Sequence, residues 1–159
     1  MDVGALRRIF REIPKRETLM RIRRSFRVGQ KACFVKTATS RDVRLFAQTT
    51  GDRNPLHMDE EFARKTRFKT RIVHGLWSGG LISAVLGTQL PGPGAIYLSQ
   101  SLRFERPVFI GDTLRAEVVI AAWLPKKRIV KLKTQCFNQR SERVVKGTAV
   151  LMVERSRRK

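Results

Sequence analysis

Ile72-Val73-His74-Gly75-Leu76-Trp77-Ser78-Gly79-Gly80-Leu81-Ile82-Ser83-Ala84-Val85-Leu86-Gly87 is the stretch on which the fold turns. It heads a longer run, 72–102, that holds no Asp, Glu, Lys or Arg. From Gly75 to Leu90 it is apolar nearly all round, so the expected element is a helix buried on all sides. Its glycines, at 75, 79, 80 and 87, each cost a helix about 1 kcal/mol against Ala. Gly79 and Gly80 make sense where another backbone or a ligand approaches closely. Pro91-Gly92-Pro93-Gly94 breaks the run too early for a membrane span, which leaves a core helix followed by a turn.

Downstream the pattern changes to a period of two. Ile96, Leu98, Leu102 and Phe104 alternate with Tyr97, Ser99, Ser101 and Arg103. Leu114, Ala116, Val118, Ile120 and Ala122 continue it, then Val130, Leu132 and Cys136, then Val145, Gly147, Ala149, Leu151 and Val153. Turn residues fall at 107–112, 125–128 and 138–142. One buried helix followed by an antiparallel meander makes an α+β domain, and the simplest packing wraps the sheet around the helix.

Upstream, 32–37 contains a short β-like run. Ser40 is placed to N-cap a helix with Asp42 in its first turn and Val43, Phe46 and Ala47 on its buried stripe. That helix leads into Gly51-Asp52-Arg53-Asn54-Pro55-Leu56-His57, where a carboxylate and an imidazole lie five positions apart with a proline between them. The residue before a proline is pushed out of the α region, so Asn54 is expected to end any helix running in. Asn bonds to its own backbone in turns, and Gly51 tolerates φ > 0. The expectation is a tight polar turn, outside the core, that folds Asp52 and His57 towards one point. Such a pair can do acid–base work, because His titrates near neutrality and burial tunes either group. The same residues are also ordinary turn chemistry, and taken alone they support either reading. Residues 59–63 read as a short helix with acids in its first turn, followed by the basic positions Arg64, Lys65, Arg67, Lys69 and Arg71. A charge run of that kind is usually a solvated face, but this one lies in sequence between the two blocks and is placed to meet a phosphate.

Together the blocks resemble the MaoC-like family of (R)-specific enoyl-thioester hydratases and 3-hydroxyacyl-thioester dehydratases, closest in type to its mitochondrial dehydratases. The family shows a Gly-Asp-x-Asn-Pro-x-His core, then Ile-Val-His-Gly opening a buried helix, then a Pro-Gly-x-Gly exit. Here these stand in order at 51–57, 72–75 and 91–94, and the likeness spans about 31–153. The resemblance implies a hotdog fold, a homodimer, and an acyl-CoA or acyl-carrier-protein thioester as substrate. It implies Asp52 and His57 as the catalytic pair, Asn54 as a supporting amide, and Gly75 as a backbone donor to the thioester carbonyl. It also implies Ser83 as a polar group facing the site. Ile82 and Leu86 are candidates for the acyl-chain lining and read equally well as core. His74 is expected to pack or hydrogen-bond at the helix start. A thioesterase of the same fold would lack the paired Asp–His turn.

Composition sets the remaining limits. With 159 residues and 42% hydrophobic content the chain is one globular domain. Two cysteines, Cys33 and Cys136, are too few for a disulfide framework, and with only His57 and His74 as histidines no metal or other cofactor is expected. The formal charge is +21, and the body 29–154 keeps 21 basic against 10 acidic residues. Such a field attracts polyanions, including acidic carrier proteins. An RNA- or ribosome-binding protein is the alternative that charge alone supports, but nucleic acid is not the expected partner, because no RNA-recognition aromatic motif is present. Leu6, Ile9, Phe10 and Ile13, with Arg7, Arg8, Arg11 and Lys15 around them, make 1–28 a basic amphipathic segment. It reads as a mitochondrial transit peptide ahead of a catalytic domain over 29–154 and a basic tail over 155–159, placing the protein in the matrix.

Overall fold

A computed structural model describes residues 26–154. The amphipathic segment and the basic tail expected from the sequence lie outside the described residues, apart from positions 26–28. The elements run β1 (Lys31–Thr37), α1 (Ser40–Thr50), α2 (Pro55–Met58), α3 (Glu60–Arg64), α4 (Gly75–Thr88), β2 (Ala95–Phe104), β3 (Thr113–Leu124), β4 (Ile129–Phe137) and β5 (Arg143–Val153). The strands form one antiparallel sheet in the order β1-β3-β4-β5-β2. Thus β3, β4 and β5 are the expected meander, whereas β2 crosses over to pair with β5 and becomes an edge. Helix α4 packs across the sheet against β1, β2, β3 and β4, the α+β hotdog arrangement.

The inward face of the meander follows the expected alternation except at Ala122, where a bulge after Ile120 sets Ala122 opposite Lys131 and Trp123 opposite the inward Val130. Leu114, Ala116, Val118, Ile120, Val130, Leu132, Cys136, Val145, Ala149, Leu151 and Val153 are all buried. They close on Trp77, Leu81, Ile82, Val85 and Leu86 of α4 to form the core cluster. Ahead of the sheet, Phe26 already packs edge-on against Trp123, with ring centroids 5.0 Å apart.

Three expectations need correction. First, α4 is not buried on every side: Leu76, Gly80, Ser83 and Gly87 form an exposed stripe, with Leu76 62% exposed. An apolar sequence does not record that one side of its helix has been left open in the single chain. Second, the alternation in β2 breaks at a bulge between Tyr97 and Ser99. Leu98 has no partner there, so Ile96 pairs with Met152 on the outer face while Leu102 and Phe104 pair with the inward positions Gly147 and Val145. Third, α1 is capped one residue earlier than expected, by Thr39 in a reciprocal capping box with Asp42.

Close approach does explain two glycines of α4, though not the pair predicted. A Cβ on Gly79 would meet Leu102 Cδ1 at 2.9 Å, and one on Gly75 would meet the Phe104 ring at 3.0 Å, while Gly80 faces open space. These two positions seat β2 on the helix. Gly147 is the tightest site in the sheet, where a side chain would run into the Ser101 carbonyl of β2. Among the described residues no helix is long and apolar enough to cross a membrane.

Candidate active site

Four segments meet at one end of α4. Helix α1 ends at Gly51, whose φ of +81° lets the chain turn back while its N–H closes on the Ala47 carbonyl. Asp52 follows, exposed, with its Oδ1 accepting the Asn54 N–H at 3.2 Å. Asn54 does not end the incoming helix as expected. It starts the next one, its Oδ1 capping α2 through the Leu56 N–H at 3.0 Å, with Pro55 in the first turn where no N–H is needed. That short helix carries His57 inward to 9% exposure, so of the pair only Asp52 lies outside the core as the sequence reading held.

The third segment is 72–73, which bridges to Phe109 through Ile72 and to Val108 through the Val73 N–H. Its Ile72 carbonyl lies 2.8 Å from His57 Nδ1. A carbonyl can only accept, so Nδ1 carries the proton and the neutral ring presents a bare Nε2 as its working nitrogen. The fourth is the start of α4. His74 occupies its N-cap position and, having no side-chain bond to its own helix, points away from it. Its Nε2 lies 3.0 Å from the backbone carbonyl of Asp52, and its ring stacks on His57 with centroids 4.0 Å apart.

Asp52, His57 and His74 each bring a polar side-chain atom to within 4.8 Å of the other two. The five-residue spacing read from the sequence therefore does close on one point. Burial of His74 is the main reason that its pKa lies below the ordinary 6.5, and the neighbouring His57 charge pushes the same way. The ring is accordingly neutral beside an exposed carboxylate and the buried imidazole of His57.

Gly75 follows His74 directly and opens α4, where the first N–H groups have no acceptor within the helix. Its place next to the residue that holds Asp52 puts these donors beside the turn. Ser83 is different: it stands on the exposed stripe of α4, and no hydrogen bond joins it to Asp52 or His57. Ile82 and Leu86 are 0% and 1% exposed and belong to the core cluster. Sequence reasoning passed over Ser78, whose Oγ is buried with no partner and whose carbonyl accepts the Cys136 thiol at 3.6 Å. Burial pushes that thiol up to about 12, which rules it out as a nucleophile at neutral pH.

The basic run starts at Arg64, the last residue of α3, and continues through the loop to α4. Arg71 is paired with Glu60 at 3.0 Å, and Arg67 lies over the Phe68 ring, whereas Arg64, Lys65, Arg67 and Lys69 remain exposed. A separate groove of about 590 Å³ on the sheet contains none of Asp52, Asn54, His57, His74 and Gly75. Arg103, Lys133, Arg143 and Lys146 line it, and Arg143 and Lys146 hold Glu105 down to about 2.

Known proteins resemble the chain both in sequence and in fold. Residues 25–145 match the model of the MaoC like domain. The (R)-specific enoyl-CoA hydratase of Rhodospirillum rubrum is 50% identical over 125 residues, covering 79% of this chain and 86% of the relative. A mitochondrial 3-hydroxyacyl-[acyl-carrier-protein] dehydratase of Arabidopsis thaliana is 38% identical over 130 residues, covering 79% of this chain and 77% of the relative. Among solved structures, the (R)-hydratase from A. caviae involved in PHA biosynthesis superposes with a TM-score of 0.79 at 45% identity, over 82% of this chain and 99% of that one. On sequence and on fold alike, the chain belongs to the MaoC-like domain family.

Proposed function

We propose that the protein is a hydro-lyase that reversibly dehydrates (R)-3-hydroxyacyl-thioesters to trans-2-enoyl-thioesters, with Asp52 and His57 as its acid–base pair. The observation that carries this reading is the convergence of the Asp52 carboxylate and the His57 imidazole at the start of α4. The hydratase and dehydratase activities named for relatives that match across most of their own length support it.

In dehydration the C2–H bond and the C3–O bond break. The C2 proton passes to the site, and the hydroxyl leaves as water after taking a proton from the site; hydration runs the same steps backwards. Loss of the C2 proton builds negative charge on the thioester oxygen. The N–H groups at the start of α4, Gly75 first, are suited to receive that charge, because they lack helix acceptors and need no reorganisation. His57 works through Nε2, since its Nδ1–H is held by the Ile72 carbonyl. Asn54 acts through its backbone N–H, which orients the Asp52 carboxylate. Asp52→Asn and His57→Ala are each expected to lower kcat by about 10²–10⁴-fold, the usual contribution of a positioned acid or base. The ultraviolet absorbance of the conjugated enoyl-thioester follows turnover, and circular dichroism checks the fold. Normal turnover by either folded variant would sink the assignment.

The active form in this reading is a dimer. Leu76 of α4 and Tyr97, Leu98 and Phe104 of β2 expose 40–62% of their surface along one edge strand and the adjoining open side of the helix. Edge strands with apolar side chains seek a partner, and a second copy offers the same surface. Sedimentation should give a dimer at micromolar concentration, and a stable, active monomer would refute it.

The thioester carrier in this reading is an acyl carrier protein. Arg64 at the end of α3 and Lys65, Arg67 and Lys69 in the loop after it are exposed between the two halves of the site in sequence, and the body of the chain is strongly basic. Surface charges act over about 8 Å at physiological salt, so attraction to an acidic carrier shows in association and fades as salt rises. Carrier-protein thioesters should have a lower KM than matching CoA thioesters at low salt, and Arg67→Glu with Lys69→Glu should harm that reaction more. Equal KM values with equal salt slopes would leave CoA as the substrate. The arginine-rich segment 1–28 fits the same setting as a mitochondrial targeting signal. A reporter fused to it should enter the matrix, and a cytosolic reporter would remove that part of the proposal.

A further inference from the structure

Packing alone does not account for His74. Its ring fills a slot between Phe46, with centroids 4.8 Å apart, and His57, at 4.0 Å. It is 1% exposed, and its Nδ1 is buried with no hydrogen-bond partner. A phenyl ring would fill the same slot without stranding a polar atom. What a phenyl ring lacks is the other nitrogen. The Asp52 carbonyl 3.0 Å from Nε2 can only accept, so Nε2 carries the hydrogen and Nδ1 is left as a bare lone pair.

We propose that His74 is a positioning residue for the reaction, a lasting neutral Nε2–H donor that holds the Asp52 backbone to the start of α4 and leaves His57 as the only imidazole of the stack that takes up a proton. The inference rests on the assignment of Asp52 and His57 as the acid–base pair.

Two constraints keep the ring neutral. A second proton would sit on Nδ1, where the surroundings offer it no acceptor, and a buried cationic donor without one is strongly disfavoured. That cation would also lie against His57, which must itself become charged when it accepts a proton. Of the groups facing the ring, Phe46 on α1 is uncharged, His57 on α2 opposes protonation, and Asp52 in the turn favours it; burial outweighs the last. Because His74 is also the N-cap residue of α4, its single hydrogen bond ties the residue carrying the carboxylate to the helix end that offers N–H groups to an oxyanion. Without it the turn carrying Asp52 loses its link to α4. Misplacement on the order of 1 Å costs such a site about 100-fold in rate.

The tautomer also has a thermodynamic signature. Above pH 6.5, the ordinary value, His74 is neutral in the folded and unfolded chains and contributes nothing to pH dependence. As pH falls below it, the unfolded chain takes up a proton that the folded ring refuses, so this group lowers stability progressively on the acid side.

The test uses the full chain with His74→Phe and His74→Gln, and Asp52→Asn measured alongside. In wild type, nitrogen NMR of the two histidines should show one ring locked with a protonated Nε2 and an unprotonated Nδ1 from about pH 8 down past the ordinary histidine pKa. His74→Phe, which keeps the ring but not the donor, should lower kcat about 10–100-fold with KM changed by no more than about threefold. His74→Gln, which restores an amide donor, should recover part of that loss. The fall in Tm between about pH 7.5 and 5.5 should be smaller in His74→Phe than in wild type. A His74 ring that titrates like free histidine overturns the proposal, and so does wild-type kcat in His74→Phe. Should His74→Phe fail to fold, the wild-type NMR titration and the Gln variant decide the matter. A dead Asp52→Asn beside an unimpaired His74→Phe removes only the positioning role, whereas normal turnover in Asp52→Asn removes the assignment beneath it.

Discussion

A helix without a charged residue can be stable only where a sheet removes it from water, and the rest of this molecule is arranged to do so. Helix α4 lies across five strands, and the inward side chains of β3, β4 and β5 close on it to form the core. Burying a side chain such as Leu or Ile is worth roughly 1.5–3 kcal/mol, so the many buried aliphatic residues at this contact outweigh the helix propensity lost at its glycines. Two of those glycines leave room for β2, because an added Cβ would crowd the Leu102 or Phe104 side chain. The glycines therefore belong to the packing as much as the large residues do.

The same helix organises the chemistry at its exposed end. Its N-terminus brings unpaired N–H groups, and the segment before it, 72–74, holds the helix that carries His57 and the turn that carries Asp52. The Ile72 carbonyl fixes the His57 tautomer, and the His74 ring reaches back to the Asp52 carbonyl. Each imidazole is thus tied to a backbone carbonyl by one nitrogen, with the other left over. In His74 the remaining nitrogen is buried without a partner, whereas in His57 it is the nitrogen that the proposed reaction uses. Two residues of the same type, with ring centroids 4.0 Å apart, are given different surroundings.

Charge is distributed on a different plan. Basic residues of β2, β4 and β5 line a groove of about 590 Å³ that holds none of Asp52, His57 and His74, while those at the end of α3 and in the loop after it lie in sequence between the turn at 51–57 and the start of α4. Large apolar side chains are exposed at several places, Val28, Phe34, Val35, Leu45, Phe62 and Leu124 among them, but those of β2 and Leu76 of α4 lie open beside one another. A sheet that ends on such a strand is incomplete as a surface, which is the physical reason for expecting a second copy there.

Much of this was legible in the chain. Alternation predicted the buried face of three strands, because side chains on a strand alternate strictly wherever pairing is regular. The turn at 51–57 announced itself through Gly51, Asn54 and Pro55, whose backbone preferences are local. What escaped the sequence depended on neighbours distant along the chain. The bulge at Leu98 reverses the facing of Ile96, and only pairing with β5 imposes it. The crossover of β2, the open stripe of α4 and the stranded Oγ of Ser78 are likewise set by what packs against them. His74 shows the division most plainly. Its place at the head of a buried helix could be read from Ile-Val-His-Gly, but its bond to Asp52, 22 residues away, exists only because the fold carries the two together. Local backbone and hydropathy rules act through a residue's own neighbours in sequence, whereas tautomer, burial and register are decided by the partners that tertiary structure supplies.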